Sequence, residues 1–194
     1  MRAAESVSVS GTESKIFAGA SGEDENAGNG GTIIIETKKI SLSDKARVSS
    51  DTYHGSGAGG NIFISGTDGG FAESIEVSNA EILSGAKDGL YEDTGDSGRV
   101  EIKAKNIVFT NGGRIGSESY NTDSRGGDVV ITGEYIRFSG ENENGSSKVY
   151  TSAETKRDQY AGDAGNIQIE ADDIVFENSG GITAQTSSPG NAGE

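Results

Sequence analysis

The stretch GNIQIEADDIVFENSGGITAQT, residues 165–186, decides the reading of the chain, because variants of it recur from end to end. It holds three short strand-like pieces: Ile167-Gln168-Ile169, Ile174-Val175-Phe176 and Ile182-Thr183-Ala184. An acidic turn at Asp172 and Asp173 separates the first two, and an Asn/Gly turn over 178–181 separates the last two. Apolar residues two apart send their side chains to one side of a strand, and the residue between them faces the other way. Pieces this short leave unpaired backbone on both edges, so the unit needs neighbours stacked on it.

Aligned on the glycine before the first piece, units begin at Gly31, Gly60, Gly98, Gly127, Gly165 and Gly193, with spacings of 29, 38, 29, 38 and 28. The first-strand pairs are Ile33/Ile35, Ile62/Ile64, Val100/Ile102, Val129/Ile131 and Ile167/Ile169. Second-strand pairs run Val7/Val9, Ile40/Leu42, Ile75/Val77, Ile107/Phe109, Ile136/Phe138 and Ile174/Phe176. The third strand contributes Ile16, Val48, Ile82, Ile115, Val149 and Ile182, each followed two residues later by a small one (Ala18, Ser50, Ser84, Ser117, Thr151, Ala184) that suits a tight inner corner. The two long units grow at different places, around 66–71 in the second and within 141–147 in the fourth, and both lengthen the closing loop. A solenoid tolerates insertions at its corners, so the alternation of spacings is read as coincidence and not as a double repeat. A period near 29 with three strands and no helix predicts an all-β fold: a right-handed parallel β-helix, or β-solenoid, of about six coils with three short strands per coil. Residues 1–194 form a single segment of this kind, read as part of a longer repeat array.

Composition agrees. Of 194 residues only 31% are hydrophobic, 31 are glycine and one is proline, which is not the make-up of an ordinary globular domain. The net charge of -15 with so few apolar residues would suit disorder, but the apolar residues fall in alternating β-branched clusters and not evenly along the chain. There is no cysteine, hence no disulfide framework and no thiolate metal site. An acidic pI of about 4.4 argues against nucleic acid as a partner, since phosphate binding needs a basic field.

The string Gly162-Asp163-Ala164-Gly165-Asn166-Ile167, with Gly180-Gly181-Ile182-Thr183-Ala184-Gln185-Thr186, resembles the repeats of filamentous-haemagglutinin-like exoproteins of bacterial two-partner secretion. Gly59-Gly60-Asn61-Ile62 and Gly126-Gly127-Asp128-Val129 carry the same resemblance, which covers nearly the whole chain. It implies the shaft of an adhesin, a right-handed β-helix, export through an outer-membrane secretion pore partner, and a secreted or cell-surface location. The amino-terminal secretion domain of that family has no counterpart in this sequence.

For a reacting constellation the sequence offers little: one histidine, His54, lies in a loop without convergent partners, and the turn holding Asp172 and Asp173 varies in charge from unit to unit. The expected function is therefore structural and adhesive, with no catalysis. The alternative is a carbohydrate-active, polysaccharide-cleaving β-helix enzyme, which should gather Asp, Glu, Lys and Arg at one point over several coils; here they read as spread along the turns. An ice-binding solenoid would need a Thr-x-Thr row, and none is present. Asp44, Asn79, Asn111 and Asn178 share a position after the second strand and predict an asparagine ladder in the left-handed region, with side-chain amides bonding along the stack. Calcium is the functional counterpart, with the acidic loops 22–29 and 88–96 as oxygen donors, although neither has calcium-loop spacing.

The candidate partner-binding residues fall in two groups. The residue before each third-strand hydrophobe is Lys15, Arg47, Glu81, Arg114, Lys148 or Gly181, so four of six are basic and line one face, with Glu81 relieving the repulsion between its neighbours. Tyr91 and, in the insertion of the fourth unit, Glu141 and Asn144 sit on loops, where recognition is usually placed. A glycan or cell-surface receptor is the expected ligand, and adjacent coils or further copies of the chain are the expected partners at the open ends. The outward first-strand residues Ile34, Phe63 and Val130 are apolar and predict a cover for that face, with Leu90, Tyr91 and Tyr160 as its anchors.

Overall fold

The computed structural model describes residues 1–21, 28–53, 56–87, 95–120, 124–155, 161–187 and 190–193. The repeat folds as a parallel β-solenoid of three sheets. The first contains Ile33–Glu36, Ile62–Ser65, the start of Val100–Thr110, Val129–Thr132 and Ile167–Glu170. The second contains Ser6–Ser10, Lys39–Ser43, Ala72–Ser78, the rest of Val100–Thr110, Tyr135–Ser139 and Asp173–Glu177. In the third, Lys15–Phe17 and Ala20–Ser21 both pair with Arg47–Tyr53, followed by Glu81–Lys87, Arg114–Tyr120, Lys148–Glu154 and Gly181–Thr186. The stack makes about five turns where about six were expected, because the leading residues supply strands to only two of the three sheets.

The register follows the aligned repeat, with Ile33, Ile62, Val100, Val129 and Ile167 facing one another across the first sheet and Val48, Ile82, Ile115, Val149 and Ile182 across the third. These inward residues form one apolar core in which Ile35, Ile62, Ile75, Ile107, Phe109 and Phe138 are fully buried. The rise between coils forces Phe109, Phe138 and Phe176 into a face-to-face column, with ring centroids 4.8 and 5.2 Å apart.

The glycine that opens each unit has a steric cause. A Cβ on Gly60 would lie 1.9 Å from the carbonyl oxygen of Gly31, and the same clash, near 2.2 Å, recurs for Gly98 on Gly60 and Gly165 on Gly127. Each coil can therefore approach the one below only where the side chain is a hydrogen atom. The small third-strand residues lock this corner: the hydroxyls of Ser50, Ser84, Ser117 and Thr151 donate to the carbonyls of Gly31, Gly60, Gly98 and Gly165. A second column of small residues, Thr37, Ala72, Ala104, Gly133 and Ala171, turns the chain from the first sheet to the second. In the third coil that corner is shallow enough for Val100–Thr110 to run through it as one strand.

Asp44, Asn79, Asn111 and Asn178 all have positive φ, as the ladder reading requires. Their amides, however, do not bond to one another. The Asn111 amide donates to Ser78 Oγ at 3.1 Å and that of Asn178 to Ser139 Oγ at 3.4 Å, while Ser10 and Ser43 donate to Asp44. A hydroxyl one residue earlier in the neighbouring coil lies nearer than the next amide. At the closing corner Asn and Asp cap backbone N–H groups of the next coil: Asn61 Oδ1 accepts from Arg99, Asp96 from Arg125 and Asp128 from Asn166.

Candidate functional site

The insertions are built differently. In the second coil a 3-10 turn, Thr67–Gly69, bulges from the corner. In the fourth, Glu141–Asn142 and Gly145–Ser146 pair as an antiparallel hairpin that folds back across the earlier coils. Its Asn142 amide donates to Asn79 Oδ1 at 2.6 Å, and Glu143 at its tip meets Lys45 of the first coil at 2.8 Å. Asn142 also rests on Gly112, where a Cβ would lie 2.4 Å from its side chain. Gly112 has a φ of +75°, so glycine serves both the turn and the seat of the hairpin.

Between the hairpin and the third sheet lies a cleft of about 260 Å³. Ala46, Ala80 and Gly112 line it along the corner, Arg47, Glu81 and Arg114 on the sheet side, and Lys45, Asn79, Asn142 and Asn144 on the other. Arg114 Nη2 is 2.8 Å from Glu81 Oε1, and Arg47 Nε is 3.7 Å from Glu81 Oε2, so Glu81 stands between the two guanidinium groups. The Nε atoms of Arg47 and Arg114 are buried and have no acceptor. A buried donor left without a partner is costly, and both atoms lie below the surface of the cleft, so a ligand would meet only the exposed quarter or so of each arginine side chain.

Thus the structure brings Arg47, Arg114 and Asn144 to one cleft. Lys15 and Lys148 hold the same register row but lie apart from it, each over a ring, Phe17 at 5.2 Å and Tyr150 at 4.9 Å. Glu141 sits exposed on the first strand of the hairpin, outside the cleft lining, and Tyr91 lies outside the described residues, as do His54, Leu90 and Tyr160. The cover expected over the first sheet is not found at Ile34, which stays 51% exposed.

Instead, outward positions of the third sheet are buried. Asp51, Leu83, Glu118 and Ser152 have almost no exposure, although alternation turns them away from the core. Asp51 and Glu118 belong to a polar cluster: Asp51 Oδ2 accepts from Tyr53 Oη at 2.8 Å and lies 3.4 Å from Arg47 Nη2, while Lys87 Nζ meets Glu118 Oε1 at 2.5 Å. Burial pushes the Asp51 carboxyl above its usual pKa, against the pull of Arg47 and Lys87. Burial, reinforced by Asp51, raises the Tyr53 phenol to about 12, and burial also raises Tyr120 and Tyr150. Arg47 pays a burial penalty that Asp51, Tyr53 and Glu81 outweigh, so its pKa is raised. The charges therefore gather over the first three coils, contrary to the expectation that they spread along the turns.

A second depression, of about 400 Å³, lies along the closing corner among Asp96, Arg99, Arg125 and Asp128. Its arginines are engaged, Arg99 with Glu101 at 3.1 Å and Arg125 with Asp163 at 3.3 Å. Among the described residues no group of three acidic or histidine side chains could hold a metal ion. Of the calcium loops, 22–27 and 88–94 lie outside the described residues, which leaves Asp96 Oδ1 accepting from a backbone N–H.

No family model, curated protein or solved structure matches the chain.

Proposed function

We propose that this chain is a non-catalytic, structural and adhesive segment of a secreted or cell-surface bacterial fibre of the filamentous-haemagglutinin-like kind, exported in its parent protein through an outer-membrane pore partner. The observation that carries the reading is that every insertion leaves the three-sheet register untouched: the stacked core is invariant, and variation is confined to corners that project from it. Rigid scaffolds of this sort place recognition on their loops. The hairpin of the fourth coil, docked across three coils with a polar cleft beneath it, is the most elaborated of these corners. Beads coated with the chain should adhere to glycan-bearing cell surfaces more than beads coated with a deletion of residues 142–146; equal adhesion would leave the segment as a passive spacer.

One observation favours a second reading. Arg47, Asp51, Glu81, Lys87, Arg114 and Glu118 gather on one face, as a polysaccharide-cleaving β-helix enzyme would have them. Against it, Asp51 is wholly buried and Glu118 nearly so, and Glu81 is the sole carboxylate lining the cleft among the described residues, whereas glycoside hydrolysis uses a pair. New reducing ends or new unsaturated sugar ends released from an acidic polysaccharide would replace the adhesive reading with this one.

A further inference from the structure

We infer that the cleft under the hairpin binds a sugar unit that carries a carboxylate, of the uronic-acid class. The inference rests on the adhesive reading and names the ligand chemistry for it.

Three cations, Lys45, Arg47 and Arg114, line the cleft against one anion, Glu81, in a chain whose net charge is -15. Glu143 engages Lys45 and Asp51 engages Arg47, which leaves Arg114 shared only with Glu81. Both arginine side chains line the cleft and keep about a quarter of their surface exposed. A planar guanidinium matches a carboxylate with two parallel hydrogen bonds, which selects an acidic group over a hydroxyl. A single carboxylate also suits the setting better than a doubly charged phosphate, which the acidic chain as a whole would repel.

The other side of the cleft selects a sugar over an acidic peptide. Asn79 and Asn144 present amide groups beside Asn142, whose own amide is tied to Asn79 Oδ1 and to the Asn144 backbone N–H, and neighbouring sugar hydroxyls need both donors and acceptors. The lining holds no large apolar side chain, only Ala46 and Ala80, so a bulky hydrophobic side chain finds no partner of its own kind there. A volume of about 260 Å³ accommodates one sugar ring with its substituents. The cleft is also a built feature, because the hairpin is fixed at Asn79, at Gly112 and at Lys45 before any ligand arrives. A seat held in place in advance spends little binding energy on ordering.

The test is calorimetric titration of the full chain with a trimer of galacturonic acid, beside the neutral galactose trimer. The acidic trimer should saturate with a dissociation constant of about 1 mM or tighter, a weak single-site affinity. The neutral trimer should bind about tenfold more weakly, and Arg114→Gln should lose a comparable factor for the acidic one alone. Because Arg114→Gln leaves Glu81 with a weaker partner, the exposed Asn144→Ala serves as the second variant: it should weaken the acidic trimer severalfold while its thermal melt stays that of the parent. Absence of saturation, equal affinity for the two trimers, or an Asn144→Ala variant and a 142–146 deletion that both bind as tightly as the parent would each overturn the inference. If the bead assay still shows adhesion when the acidic trimer fails, the ligand class falls and the adhesive reading stands. If neither is seen, both fall.

Discussion

At the scale of single residues, the polar cluster outside the third sheet is the place where sequence and environment are most at odds. Asp51 is fully buried with one oxygen unpartnered, beside Gly85, whose missing side chain leaves the room that oxygen occupies. Its partners, Arg47, Lys87 and Tyr53, favour the carboxylate, yet burial outweighs them and raises its pKa from 3.8. A carboxyl whose folded pKa lies above its unfolded one contributes stability below the unfolded value, and that contribution is lost as pH rises through the folded pKa. Asp51→Asn removes this dependence while keeping the shape. The variant should therefore gain on the parent in thermal midpoint as pH rises from below 3.8 toward neutrality. Melts of the two proteins across that range check it; a gap that closes or reverses with rising pH would mean that Arg47 and Lys87 prevail over burial.

At the scale of elements, the insertions show what a repeat constrains and what it leaves free. Deleting residues 142–146 restores the corner length of the third coil, where Asn111, Gly112 and Gly113 already lead into Arg114. The deletion removes one exposed ion pair, Lys45 to Glu143, and the amide bond from Asn142 to Asn79. Such contacts contribute about 1 kcal/mol or less each. A circular-dichroism melt should accordingly stay cooperative and shift by only a few degrees; a broad or multistep transition would show that the hairpin clamps the coils together. The core register was legible beforehand because apolar residues two apart, one glycine per unit and a small residue after the third strand repeat at fixed places. The hairpin's direction was not, since it is set by contacts with Lys45 and Asn79, 98 and 63 residues away. The buried cluster was hidden for a related reason: Asp51, Gly85 and Glu118 become neighbours only through stacking, and their row has no apolar period. Of the candidate site, the row positions Arg47 and Arg114 were legible, but the sharing of Glu81 across a cleft roofed by Asn142 required the third dimension. The small residues at 37, 72, 104, 133 and 171 could have been read in advance, two places after each first-strand pair or just past the second coil's insertion.

At the scale of the whole molecule, the solenoid is a one-dimensional stack whose coils depend on their neighbours. Ile75, Ile107 and Ile136 are fully buried because coils lie on both sides of them, whereas in the last coil the equivalent Ile174 is 42% exposed, Phe176 41% and Ile182 52%. The strands that carry them, Asp173–Glu177 and Gly181–Thr186, each have a pairing partner on one side only among the described residues. At the other end Val7 and Ile16 lead strands that likewise pair on one side. Set against each other in the register of the repeat, Val7 would meet Ile174, Val9 would meet Phe176 and Ile16 would meet Ile182, so each mismatched face is completed by the other end of a second copy. Unpaired parallel edges with exposed apolar side chains invite this pairing. Head-to-tail contacts of this kind are heterologous and do not close, which leads to filaments and not to dimers. The 194-residue chain should therefore show a scattering mass that rises with concentration. Phe176→Lys with Ile182→Lys should hold it monomeric, since the two positions are 41% and 52% exposed at the open end, although the first also removes the ring stacked on Phe138. A parent chain that stays strictly monomeric at high concentration would count against end-to-end stacking, and so would an association unaffected by the double substitution, which would place the contact on a side of the rod instead of its end.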